Sequence, residues 1–377
     1  MLTALDRNDL PEGLQFSLGY KVAPGSRLIF LGASSACCPS AAPGGFAAQT
    51  RRSLDFIRRA AARADQDAKV VKVRRYMTGG RGHRERSARA LWADAFGDTL
   101  PPSTALEVPG SVLLGSFVDL EAWAVAPADF EAEPMSRIAG AGQTPEAVSV
   151  RGDQRLCVAA VEPAPGTSVI DEFRSCLSKI DTAFDSQGAA PEDIAKLTVY
   201  FRDPRSWPLI EAMIVGRYGE HSPVVNGVVV SNLRRMGGHV ELTGWARVSQ
   251  PSSEQHGCSV DLNDELLVLT GTAAMPVFVG GLAADAYAQM PSSSIEEQAH
   301  VAMENQRKVL EAAGATFDDV FRSNWYLTDI RDWDAISPIV TEYFGGRLPT
   351  PQVVEVARLT AKPGVRFEPD LWACLRR

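Results

Sequence analysis

The side chains that carry chemistry unaided are few in this chain, and their spacing excludes more than it supports. Six cysteines (Cys37, Cys38, Cys157, Cys176, Cys258, Cys374) include no Cys-x-x-Cys pair. In a reducing compartment they read as small buried apolar residues rather than a metal or disulfide framework. Cys37 and Cys38 follow the apolar run LIFLGAS, and a nucleophilic thiol there would need a neighbouring base. The five histidines (83, 221, 239, 256, 300) form no HExxH or other paired spacing, so no zinc site is expected. The segment GGFAAQTRR lacks GxGxxG and a P-loop lysine, and no GxSxG elbow occurs. The most basic segment, RRYMTGGRGHRER (74–86), reads as a solvated turn before it reads as a phosphate site.

Composition narrows the class. A length of 377 residues predicts two or three domains, and 45% hydrophobic with 22% charged residues suits a globular core. A net charge of −8 argues against a nucleic-acid footprint, which wants a basic face. No apolar run reaches the ~18 residues of a membrane span. The opening MLTALDRNDLPEGLQ carries acids and no apolar core of a secretory signal. The expectation is a cytoplasmic protein with no nucleic-acid or membrane partner and no cofactor.

What the sequence does show is periodicity. Three tyrosines, Tyr76, Tyr200 and Tyr326, stand 124 and 126 positions apart, each followed seven places on by a ring: His83, Trp207, Trp333. Strands closing on tryptophan (VDLEAWAV, VELTGWAR, FEPDLWAC) place Trp123, Trp245 and Trp372 at intervals of 122 and 127. Between these anchors, PPSTALEV, PVVNGVVV and PTPQVVEV begin at Pro101, Pro223 and Pro349, 122 and 126 apart. Three anchors with one period predict three tandem copies.

Each copy reads β-β-α-β-α-β-β. Alternating or β-branched runs such as SRLIFLGAS, QRLCVAAVE and ELLVLTGTA predict the opening strands. Phe173, Cys176, Leu177, Ile180 and Phe184 fall at helical spacing in the second copy. Ala299, Met303, Gln306, Leu310 and Ala313 do so in the third, with Gly314 as a stop. Turn formers in 125–146 and 249–257 mark linkers, so the expected units are 10–127, 145–248 and 257–377.

The order, with LEAAGATFDDVFRSNWYLTDIRDW leading to EYFGGRLPTPQVVEVARL, resembles the reactive-intermediate (enamine/imine) deaminase family, also called YjgF-like. It is clearest in the third copy and weakest in the second. The resemblance implies an α+β fold in which three units form a pseudo-trimer, with a central sheet barrel and helices outside. The chain would then be a monomer or a small homo-oligomer. It also implies hydrolysis of enamines and imines to a keto acid and ammonia. The family's carboxylate-clamping arginine stands two places after the strand-opening proline, where this chain has Ser103, Val225 and Pro351. The family's water-positioning glutamate matches Glu121, Thr243 and Asp370, which makes Glu121 and Asp370 the candidate catalytic carboxylates. His83, Trp207 and Trp333 match a pocket-lining ring, and Ser103 falls at the clamp position. Arg202 and Arg205, in the turn before Trp207, are candidates to replace the clamp. Thr104, Asn226 and Gln352, one position beyond the lost arginine, face the other side of the strand. They are expected to bond within the barrel or between units, and Gln352 is carried as a substrate-binding candidate.

The reading that results is a small-molecule enzyme using carboxylate-assisted acid/base chemistry on an imine, enamine or similarly activated metabolite, diverged from the parent deaminase. Two alternatives stay open: a chorismatase-like enol-ether hydrolase and a non-catalytic ligand-binding protein.

Overall fold

The computed structural model describes residues 44–79, 90–97, 103–111, 115–127, 168–185, 189–233, 237–248, 294–312, 314–346, 348–359 and 364–374. It also describes short strands at 3–4, 20–21, 27–31, 135–139, 145–150, 154–161, 271–273 and 276–279, and isolated positions 101, 163 and 166. His83, Cys37, Cys38 and Cys258 lie outside the described residues, as does the expected strand CSVDL.

The chain's rhythm is helix, then strand, then helix, then two strands. In the first stretch these are α1 (Phe46–Ala64), β4 (Lys69–Met77), α2 (90–96), β5 (Ser103–Glu107) and β6 (Val118–Ala126). The second has α3 (Val169–Asp185), β10 (Ile194–Phe201), α4 (Trp207–Tyr218), β11 (Val224–Val229) and β12 (Val240–Val248). The third has α5 (Ile295–Ala312), β15 (Val320–Leu327), α6 (Trp333–Tyr343), β16 (Thr350–Glu355) and β18 (Phe367–Cys374). The remaining strands are β1 (Thr3–Ala4), β2 (Tyr20–Lys21), β3 (Arg27–Leu31), β7 (Met135–Ala139), β8 (Pro145–Val150), β9 (Gln154–Val161), β13 (Gly271–Ala273), β14 (Pro276–Val279) and β17 (Arg358–Leu359).

The long helices are amphipathic for an evident reason. In α3 the residues Phe173, Cys176, Leu177, Ile180, Ala183 and Phe184 recur every three or four positions and are buried. The Ser168 hydroxyl caps the helix by accepting from the Asp171 amide, while Asp171 and Glu172 in the first turn suit the positive end of the dipole. In α1 the buried face is Phe46, Leu54, Ile57, Ala60 and Ala61.

The strands share one arrangement. β4–β5, β10–β11 and β15–β16 are parallel, the crossover between each pair being a helix. β4–β6, β10–β12 and β15–β18 are antiparallel, and each of these pairs carries a register shift at one place: Val70/Lys72, Ile194/Lys196 and Val320/Arg322. Beyond the shift the registers match position for position. Lys72, Lys196 and Arg322 oppose Trp123, Trp245 and Trp372; Arg74, Thr198 and Asn324 oppose Glu121, Thr243 and Asp370. Tyr76, Tyr200 and Tyr326 oppose Asp119, Glu241 and Glu368.

Both faces of these strands are buried. One face packs under the helices in three separate apolar cores, built around Leu54, Ile57 and Leu120, around Phe173, Ile180 and Leu242, and around Met303, Trp325 and Leu371. A further core draws on all three stretches, joining Tyr76, Tyr200 and Tyr326 to Leu106, Val228, Val354 and their neighbours.

The expected closed barrel is corrected. Strand pairing among the described residues gives four open sheets: β1-β2, β5-β4-β6-β3-β8-β7, β13-β9-β12-β10-β11-β17 and β14-β18-β15-β16. Within the second large sheet β17 of the third stretch pairs with β11, and among the described residues the bridges Glu107↔Asn232 and Ser111↔Val354 and the Glu355 N–H donating to Gly110 O link the stretches through their backbones. Rings and long cations on the inner faces also join them, as do the aliphatic side chains of the shared core. The sheets also borrow from neighbours: β8 pairs with β3, and β13 with β9.

Candidate functional site

The inner faces of β4/β6, β10/β12 and β15/β18 meet in layers. At one end Trp123, Trp245 and Trp372 pack on each other, with ring centroids 6.3 Å apart for the first pair and 4.3 Å, edge to face, for the second. At the other end lie the three tyrosines and the shared apolar core. The layer between them is polar, charged and enclosed, every side chain in it being nearly or fully buried.

Its bonds form one continuous chain across all three stretches. Arg74 Nη1 donates to Glu121 Oε1 at 2.7 Å. Arg322 Nη2 donates to Glu121 Oε2 at 2.5 Å and to Asn324 Oδ1 at 3.1 Å. Asn324 Nδ2 donates to Asp370 Oδ2 at 3.0 Å. The other oxygen of Asp370 accepts from Lys196 Nζ, which also donates to Asn226 Oδ1 at 2.7 Å. Both candidate carboxylates therefore belong to a single network, each holding a cation delivered by another stretch. Lys72 Nζ donates to Thr104 Oγ1 at 3.1 Å, and Gln352 Nε2 to Asp119 Oδ2 at 2.8 Å.

Rings flank the cations. The Arg322 guanidinium lies 4.8 Å from the ring centres of both Trp123 and Trp372. Arg74 lies 5.1 Å from Trp123 and 5.5 Å from Tyr200, and Lys196 Nζ 5.6 Å from Trp372. Such contacts partly replace the water these charges give up. Several buried atoms have no hydrogen-bond partner among the described residues: Arg74 Nε, Arg322 Nη1, Asn226 Nδ2, Gln352 Oε1 and the hydroxyls of Tyr200 and Tyr326. Orphans of this kind are rare in folded proteins.

Burial sets the proton affinities. It pushes the Lys196 ammonium below the ordinary lysine value, with the Asp370 carboxylate pulling the other way. It raises Tyr200 to about 12 and lifts Tyr76 and Tyr326 well above the usual phenol range.

The other expected site residues sit elsewhere. Trp207 is half-buried and stacks on Phe201 at 5.5 Å, against the second outer core. Trp333 packs 6.0 Å from Trp325 against the third. Arg202 is exposed, and Arg205 is turned onto Asp203, its Nε 2.9 Å from Oδ1, at the surface. Ser103 opens β5. A cavity of about 780 Å³ between α1, the start of β4 and α2 is lined by Asp55, Arg58, Arg59, Lys69 and Phe96 among others, and by none of the expected site residues. Among the described residues no helix is long and apolar enough to cross a membrane, and no group of three His, Cys, Asp or Glu could hold a metal.

Sequence reading missed Lys196, Arg74, Arg322 and Asn324. The signal was available: counting back four from each tyrosine gives Lys72, Lys196 and Arg322, a cation in each of the three stretches.

Residues 268–375 match the family model described as Endoribonuclease L-PSP. A RutC family protein of Saccharolobus solfataricus is 41% identical over 71 residues, 19% of this chain and 56% of that protein. A 2-iminobutanoate/2-iminopropanoate deaminase of Homo sapiens is 30% identical over 80 residues, 21% of this chain and 58% of that protein. The chain thus spans a little over half the length of these curated relatives. Among solved structures, a chorismatase aligns over 81% of this chain and 93% of its own at 12% identity, with a TM-score of 0.49. The matched segment holds Arg322, Asn324 and Asp370; Arg74, Glu121, Lys196 and Asn226 come from outside it.

Proposed function

We propose that the chain is a small-molecule enzyme acting on an imine, an enamine or a similarly activated unsaturated metabolite. In this reading it is a covalent pseudo-trimer of three copies spanning 10–127, 145–248 and 257–377. The observation that carries the proposal is the network joining Glu121 to Arg74 and Arg322 and Asp370 to Lys196 and Asn324, inside a layer closed by rings. In an enclosed site a carboxylate can take a proton from water as its oxygen adds to a C=N carbon. Neighbouring cations stabilise the charge that develops, and the amine leaves as ammonia. The relatives named for deaminating 2-imino acids support the same chemistry. Ser103, Val225 and Pro351 stand where a clamping arginine is expected. A substrate carboxylate must therefore be held by other cations, and Arg74 and Arg322 have spare donors to offer.

The test is an assay on 2-aminoacrylate generated in situ, following 2-oxo acid and ammonia for the wild type, Glu121→Gln and Asp370→Asn. The wild type is expected to exceed the uncatalysed rate. Loss of about 100-fold or more in one variant would name its carboxylate as the general base. A wild type no faster than buffer would end this reading.

A further inference from the structure

The three inner faces are alike in register and unlike in chemistry, and the difference singles out one of them. We propose that the working centre is the Lys196–Asp370 pair, with the Lys196 ammonium as the proton donor to the unsaturated substrate; this rests on the imine and enamine reading above. The cation position is Lys72, Lys196 or Arg322, and the carboxylate position is Glu121, Thr243 or Asp370. Arg322 bonds to Glu121, but a guanidinium does not release its proton at working pH. Lys72 can release one, yet it bonds to Thr104, and the carboxylate position of the second stretch holds Thr243. Lys196 alone combines a transferable proton with a carboxylate from this set, Asp370, which lies on another stretch.

The surroundings fit the role. Asp370 and Glu368 on β18, Arg322 on β15 and Asn226 on β11 are the charged and polar groups that act on the ammonium. Trp245 stands opposite it on β12, and the Trp372 ring lies 5.6 Å away. Beside the ammonium, Asn226 Nδ2 is a buried donor with no partner among the described residues, so an acceptor atom of a bound ligand would satisfy it. The burial that lowers the ammonium's proton affinity makes it a better acid than a surface lysine.

The step balances as follows. An N–H bond of the ammonium breaks, leaving its electron pair on the lysine. The C=C pair of the enamine forms a new C–H bond, and the nitrogen lone pair closes a C=N bond. Water adds to that carbon while the Asp370 carboxylate takes its proton and passes it to the lysine amine, restoring the ammonium. The C–N bond of the carbinolamine then breaks as its hydroxyl proton moves to the nitrogen, giving a carbonyl compound and ammonia.

The experiment uses the full chain and 2-aminoacrylate generated in situ. Rates above buffer are taken from about pH 6 to pH 10.5, spanning the ordinary lysine value of about 10.4. The wild type, Lys196→Arg and Lys196→Gln are compared, with circular dichroism and thermal melting as the check on folding. The protonated lysine is the working form, so wild-type kcat should fall as pH rises through a limb below the ordinary lysine value. Lys196→Arg keeps the charge and the pairing, yet should lose about 100-fold in kcat and show no such limb. A folded Lys196→Arg at wild-type rate, or an active wild type with a flat profile to the top of the range, overturns the proposal and leaves the imine reading intact. If neither variant folds, the wild-type limb alone decides. A wild type with no activity removes both.

Discussion

Arg322 reaches Glu121 across 201 positions of chain, Nη2 to Oε2 at 2.5 Å, with both side chains 4% exposed. Arg74 holds the other oxygen. A carboxylate bridged by two guanidiniums from different stretches ties the first inner face to the third. Removing the anion leaves two buried cations without their counter-charge, and such breaks cost on the order of 3–5 kcal/mol. Glu121→Ala should therefore shift the urea midpoint far to lower concentration. The pair Glu121→Ala and Arg322→Met should couple by roughly 0.5–3 kcal/mol in a double-mutant cycle. Additive single effects would show that the contact transmits nothing between the two stretches.

The tyrosine layer predicts alkaline behaviour. Burial lifts Tyr76 and Tyr326 and places Tyr200 at about 12, against about 10 for a free phenol. A folded value above the unfolded one gives stability that is complete below the unfolded value and drains away as pH rises through the folded one. Near-ultraviolet phenolate absorbance should thus stay silent for these three at about pH 11, one unit above the free phenol. It should then rise together with loss of the far-ultraviolet helix signal. Early, graded ionisation of all seven tyrosines would contradict their burial. Tyr200→Phe deletes a hydroxyl without a partner among the described residues and should cost less than about 1 kcal/mol.

Arg205 provides a contrast. Its guanidinium is folded onto Asp203 with the side chain 87% exposed, and the pair lies in the turn capping the short helix before α4. Exposed pairs of this kind contribute little. Arg205→Ala should leave both the melting temperature and KM for 2-aminoacrylate unchanged within error. A several-fold rise in KM would restore it as a substrate contact.

The matching strand positions of Tyr76, Tyr200 and Tyr326, opposite Asp119, Glu241 and Glu368, were legible because regularly spaced rings are conspicuous in sequence. So were the helices α3 and α5, whose apolar spacing leaves little choice. The inner layer was not. β4 reads KVVKVRRYM, and cations at alternate positions ordinarily mean a strand with one wet face. Here that face turns inward: Lys72 is met by Thr104, 32 positions away, and Arg74 by Glu121, 47 away, distances no local pattern records. The same blindness hid the partner of Asp370: Lys196 lies in another stretch, 174 positions off. The open sheets were missed for a related reason. Anchors fix the order of strands but carry no information on which edges pair, so the attachment of β8 to β3 and of β17 to β11 had no signature.

Gly244 shows how close one helix comes to its sheet. It lies on β12 between Leu242 and Ala246 of the second outer core. A Cβ built on it would stand 2.7 Å from Ile180 Cδ1 and 3.0 Å from the Phe184 ring, both on α3. Those two side chains are fully buried, so they have no free volume to retreat into. The matching register position in the first stretch is Ala122, and in the third Leu371, so a side chain occupies it there. Gly244→Ala should overpack the contact and destabilise by about 1–3 kcal/mol, read as a lower urea midpoint at unchanged slope. Gly244→Ala combined with Ile180→Val should recover part of the loss, because shortening Ile180 clears the nearest atom. A neutral Gly244→Ala would mean that α3 sits further from β12 than these distances state.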